Sequence, residues 1–201
     1  MKISEIYTNP SRDEFVQSYA HHFDLVHQEI PLSTGLTLKI SHDDDACDLG
    51  VFDGATLVSY VSLYHTGKYW QVVMQCTDLV HRGQGYIRTS IETAIKMYGC
   101  VISDLAQTPE AQRTWRALIL RPNLFKYYHL NLDTNHKTAF TIQNGDIQPN
   151  PWDESDTTVI LACDRVQTES ALQRMSVRQT WDRLQGRRDR WLGPGFTEFN
   201  P

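Results

Sequence analysis

The stretch YWQVVMQCTDLVHRGQGYIRTSIETAIKMY, residues 69–98, decides the fold. Its first part is dense in β-branched and aromatic side chains and reads as a strand ending near Thr77-Asp78. The turn Arg82-Gly83-Gln84-Gly85 follows, and from Tyr86 onward Ile87, Ile91, Ala94, Ile95 and Tyr98 recur at helical spacing until Gly99 closes the helix. A glycine turn between a strand and a helix leaves its backbone N–H groups uncovered beside the positive end of the helix dipole, an arrangement that favours a phosphate. Alone, a glycine pair reads as an ordinary strand-to-helix turn, and only its context favours the phosphate.

Working outward, residues 49–52 and 55–61 flank Asp53-Gly54, a dipeptide that predicts a two-stranded antiparallel hairpin. Residues 36–40 alternate like a strand, and Pro31 interrupts the pattern before them. Phe15, Tyr19, Phe23 and Val26, with Ser11 and Glu14 as a capping box, predict an amphipathic helix over 11–26. On the C-terminal side, 100–103 reads as a short buried strand. Thr108-Pro109-Glu110 reads as a capped helix start whose inner face carries Ala111, Trp115 and Leu118. Residues 123–133, 138–143 and 157–163 read as further strands. The tail from 168 to about 190 reads as helical, with Leu172, Met175, Trp181 and Leu184 on its apolar side.

The 201 residues are 40% hydrophobic and 21% charged, which fits one globular domain (1–165) with an Arg/Trp-rich C-terminal extension (166–201). The formal charge of −5 argues against nonspecific nucleic-acid binding by the whole surface, although arginines crowd the tail. No apolar run has the roughly 18 residues of a membrane span, and residues 1–5 carry no secretory signal, so the expected location is cytoplasmic. Cys47, Cys76, Cys100 and Cys163 are scattered without a C-x-x-C pair and are expected to be small buried hydrophobes rather than disulfide partners or zinc ligands. His21, His22 and His27 are read as surface residues; no metal site is expected.

The order hairpin, strand, glycine turn, helix, short strand, helix over 49–118 resembles that of the GCN5-related N-acetyltransferases (GNAT). The segments that carry the likeness are 49–60 with Asp53-Gly54, 69–77, Val80-His81-Arg82-Gly83-Gln84-Gly85, the helix to Tyr98, Val101-Ile102-Ser103-Asp104, and the helix bearing Trp115. The resemblance implies a mixed α/β fold with a splayed, mostly antiparallel central sheet flanked by helices. It also implies acetyl-CoA as co-substrate and direct attack of a primary amine on the thioester. The family's phosphate loop, (Gln/Arg)-x-x-Gly-x-(Gly/Ala), carries over to Arg82 and Gly85, with the cofactor held along Leu79, Val80, Arg82, Gly83, Gln84, Gly85, Tyr86 and Ile87. Ile87 departs from the pattern, since Gly or Ala is usual there.

Such a reaction needs a base for the ammonium proton and a donor for the oxyanion and the leaving thiolate. The resemblance directs the oxyanion donor to the amides of 76–79 and the acid to Tyr127 or Tyr128, the usual tyrosine inside the second helix being absent. Asp78 and His81 are the first candidates for the base and Asp104 the third; each fits a turn or cap role equally. The expected acceptor is a small-molecule or protein amine. Nucleic acid held by Arg174, Arg178 and Arg187 ranks behind it, a coenzyme-binding protein without turnover is the other alternative, and the tail could instead join two copies as a homodimer.

Overall fold

The hairpin around Asp53-Gly54 forms the centre of the sheet: β3 (Ala46–Asp53) and β4 (Thr56–His65) pair antiparallel, with Gly54 at φ 58° in the turn. In the computed structural model, which describes residues 16–121, 125–152 and 157–164, they belong to a nine-stranded sheet. The other strands before the first helix are β1 (Gln28–Pro31), β2 (Thr37–His42) and β5 (Trp70–Thr77). Those after it are β6 (Cys100–Ile102), β7 (Phe125–Asn131), β8 (Lys137–Ala139) and β11 (Thr158–Asp164). The order is β1-β2-β3-β4-β5-β6-β11-β7-β8, antiparallel except where β5 meets β6. A separate hairpin joins β9 (Thr141–Gln143) to β10 (Asp146–Gln148). The mixed α/β architecture expected from the sequence is what forms.

Two helices complete the layer. In α1 (Tyr86–Tyr98), Tyr86, Ile91, Ala94 and Ile95 are buried against the sheet, and Gly99, at φ 78°, returns its N–H to Ile95 O and ends the helix. In α2 (Pro109–Ile119), the Thr108 hydroxyl accepts from Ala111 N at 3.2 Å and Pro109 occupies the first turn, where it forfeits no bond. Its buried face carries Ala111, Trp115, Leu118 and Ile119 into the core formed with α1 and the sheet. The opposite face of the sheet is covered by Val16 and Phe23, packed with Phe52, Leu57 and Tyr60.

Four expectations need correction. The helix over 11–26 does not run to Val26: its described part gives way to a short 3-10 turn, Ala20–Phe23, with no helix beyond it. Phe23 is buried by that turn just as a helix would bury it, so apolar spacing alone cannot separate the two. The strand over 138–143 is broken at Phe140 into β8, on the main sheet, and β9, in the small hairpin. Pro31 does not merely interrupt; it ends an edge strand, where a missing N–H costs no ladder bond. Finally, Cys100 and Cys163 are not isolated hydrophobes. They lie opposite each other across the β6–β11 ladder and form a disulfide, which Cys47 and Cys76 do not join. The extension 166–201 lies outside the described residues.

No helix among the described residues is long and apolar enough to cross a membrane.

Candidate functional site

β5 and β6 are hydrogen-bonded only at their start, through Trp70↔Val101 and Gln71↔Ile102. Beyond Gln71 the two diverge. After β6 the chain stays with β11, where Ser103 N donates to Ile160 O at 2.9 Å and Ile160 N donates to Ser103 Oγ at 3.0 Å. On the other side, β5 carries a bulge: Leu63 pairs with Val72 and Ser62 with Met74, leaving Val73 as the extra residue. A bulge bends its strand and increases the local twist. The departure of the chain after β6 towards β11 and the bulge in β5 therefore open one slot.

The slot is a cleft of about 430 Å³. All of residues 72–77 line it, together with 81–83, 85–88, Asp104, 106–108 and one side of α2; Gln84, expected to hold the cofactor, does not line it. Alternate residues of a strand point to opposite faces, so six consecutive lining residues mean that the cleft runs along the open edge of β5 and reaches both faces of the sheet. Val16 closes the far side.

One end of the cleft is built for an anion. After a short 3-10 turn, Leu79–His81, Gly83 and Gly85 adopt φ values of 75° and 82°, in the left-handed region that favours glycine. Gly85 is the N-cap of α1, and no side chain caps the helix, so its first N–H groups face the turn. Arg82 Nε donates to Thr77 O at 3.3 Å, which ties the turn to the end of β5. Arg82, Arg88 and Arg113 line the cleft against the carboxylates of Asp104 and Glu110, the latter held by Arg113 at 3.0 Å. A Cβ on Gly85 would come within 2.8 Å of Arg88 Nη2, whereas one on Gly83 meets nothing. Ile87, the departure from the loop pattern, both lines the cleft and packs against the core. Leu79 and Val80 project outward, at 59% and 76% exposure, and do not line the cleft.

Among the sequence-predicted acid–base residues, the structure brings His81 and Asp104 to the cleft. Asp78 stands behind His81, with Oδ2 3.1 Å from Nδ1. Asp104 Oδ1 accepts from Leu105 N at 2.7 Å. Tyr127 and Tyr128 are on β7 and do not line the cleft. Tyr127 packs on the core, where burial first and then the Glu92 carboxylate push its phenol up. Sequence reasoning missed Gln75, whose Oε1 is buried at the cleft wall with no hydrogen-bond partner among the described residues. A polar residue inside an apolar strand is the signal that pointed to it.

His22 also differs from its expectation as a surface residue. Its Nδ1 is 2.9 Å from Oδ2 of the buried Asp48, whose Oδ1 accepts from Tyr60 OH at 2.6 Å; this cluster fastens the N-terminal turn to the sheet. No group of three His, Cys, Asp or Glu among the described residues is placed to hold a metal ion.

No protein-family model matches the chain, and no characterised protein gives a sequence match. Solved structures that it resembles include two acetyltransferases. The ribosomal-protein-S18-alanine N-acetyltransferase of Escherichia coli shares 8% identity, with a TM-score of 0.35 over 61% of this chain and 71% of that one. The IAA acetyltransferase of Bacillus cereus shares 13%, with a TM-score of 0.32 over 59% and 76%. Overlays this loose carry nothing about individual residues, so a functional reading rests on the cleft itself.

Proposed function

We propose that the protein is an acyl-CoA-dependent N-acyltransferase that moves an acetyl group from acetyl-CoA to a primary amine. The observation that carries this reading is the cleft itself: an open strand edge that begins at a left-handed glycine turn and a helix start with uncovered N–H groups. The diphosphate is held by the amides of 82–87, aided by Arg82 and Arg88. Acetyl-CoA supplies the activated acyl group; the chain orients it and handles the protons.

Distance along the slot assigns the reacting end. The arm between diphosphate and sulfur spans about twelve bonds, or four peptide units, roughly 14 Å when extended. Counted from Thr77 at about 3.3 Å per residue, that length ends near Val73. Carried two residues past its last pair, the offset of Trp70↔Val101 and Gln71↔Ile102 counts Asp104 level with Val73, which supports Asp104 as the group at the reacting end. On this reading Asp104 takes the ammonium proton, directly or through water, and the Asp78–His81 pair belongs to the phosphate end. The amine attacks the thioester carbon, the tetrahedral oxyanion collapses with cleavage of the C–S bond, and the thiolate leaves and takes up the proton that the attacking nitrogen gives up.

A second reading is a coenzyme-binding protein without turnover, favoured by Tyr127 and Tyr128 standing away from the cleft. Thiol release from acetyl-CoA over a panel of small amines, peptides and amine-bearing nucleic acids separates the two. Amine-dependent release supports transfer; tight binding with no release from any class supports the second reading.

A further inference from the structure

Resting on the acyl-coenzyme reading above, we propose that Gln75 is a positioning residue for the coenzyme arm, its side-chain carbonyl accepting a hydrogen bond from the arm's first amide N–H. Gln75 lines the cleft, and its Oε1 is buried with no hydrogen-bond partner among the described residues. Buried carbonyls without partners are rare because desolvation without a replacement bond is unfavourable, so an orphan on a residue that lines a cavity points to a ligand donor, met once the side-chain amide turns towards the cleft. Gln75 pairs with Val61 on β4, and its neighbour in the row towards the turn is Thr77, whose hydroxyl is already engaged by Ser59 Oγ at 2.9 Å. The orphan is therefore Gln75 alone in this part of the wall.

The spacing selects which donor it meets. Gln75 is two residues inside Thr77, roughly 7 Å along the strand. The first amide nitrogen of the arm is about five bonds from the diphosphate, near 6 Å; the second is about nine bonds away, near 10 Å, and overshoots. Arm and wall are in register only for the first amide. The bond would set the depth of the thioester relative to Asp104.

The test is calorimetry on the full chain with Gln75→Met, which keeps the side chain's length and removes the orphan acceptor. The expected result is about a tenfold loss of CoA affinity, unchanged affinity for ADP, which has the diphosphate but no arm, and an apo melting temperature equal to or above wild type. Unchanged CoA affinity, or an equal loss for ADP, overturns the proposal. If Gln75→Met fails to fold, wild-type protein with a CoA analogue methylated at the first amide nitrogen gives the same answer: weakening there but not on methylation at the second amide supports it, and the reverse overturns it. Failure of wild type to bind CoA would instead overturn the acyl-coenzyme reading and this inference with it.

Discussion

His81 Nδ1 lies 3.1 Å from Asp78 Oδ2, at the glycine-turn end of the cleft. The Asp78 carboxylate accepts from one ring nitrogen and so orients the other. On the proposed reading His81 stands at the diphosphate end and acts on coenzyme binding, not on the proton of the amine. His81→Ala is expected to raise KM for acetyl-CoA about three- to tenfold with kcat nearly unchanged, the loss of one polar contact. Asp104→Asn is expected to lower kcat by about a hundredfold or more while calorimetric CoA affinity holds, as removal of a general base does. Steady-state kinetics that show the opposite split would exchange the two roles.

Gly50 is required by a ring rather than by a turn. A Cβ there would meet Phe23 Cζ at 2.6 Å and Leu57 Cδ1 at 2.8 Å, beneath the T-shaped Phe23–Phe52 pair. Overpacking of this kind costs about 1–3 kcal/mol. Urea unfolding of Gly50→Ala should show a loss in that range, partly recovered in the double variant with Phe23→Leu. No recovery would mean that Leu57 or the backbone, not the ring, sets the limit.

The disulfide closes a loop with a sequence separation of 63 residues and joins β6 to β11 at the closed end of the slot. Chain-entropy reasoning gives an upper value of about 4 kcal/mol for such a loop. Reductant should lower the urea midpoint of the wild-type protein and leave that of Cys100→Ala/Cys163→Ala unchanged. Equal midpoints for the wild type with and without reductant would show that the bond contributes nothing to stability.

The thiols differ in their surroundings in a way chemistry can read. Cys76 lines the cleft; Cys47 is fully buried, and desolvation pushes its thiol up to about 12, against a smaller lowering by Tyr98. The thiolate is the nucleophile, so at neutral pH Cys47 stays inert and the native, oxidised protein takes alkylating reagent at Cys76. Mass spectrometry should find that label, and saturating CoA should slow its arrival. Labelling at the same rate with bound CoA would place the arm elsewhere.

What was legible in the sequence was local. Asp53-Gly54, Thr108-Pro109 and Gly99 act through backbone geometry within a few residues, and each forms the turn, cap or stop expected of it. The glycine turn was legible for the same reason. The slot was not, because it depends on how far β6 extends beside β5 and on one extra residue, Val73, in pairing with β4. Nothing local to Val73 marks a bulge. The Cys100–Cys163 bond likewise depends on the register of two strands far apart in the chain. Of the acid–base candidates, His81 and Asp104 reach the cleft from the short segments that follow β5 and β6; the placement of Tyr127 and Tyr128 is set by β7 pairing with β11 and by the core beneath them.

The central claim, a diphosphate seated on the glycine turn, is tested most directly by calorimetric titration of acetyl-CoA into wild-type protein and Gly85→Val. Valine at φ 82° is strained and displaces Arg88, whose Nη2 occupies the space a Cβ would need. The expected result is measurable binding by wild type and none by the variant, with near-native circular dichroism in both. Equal affinity in the two proteins would contradict the assigned phosphate site.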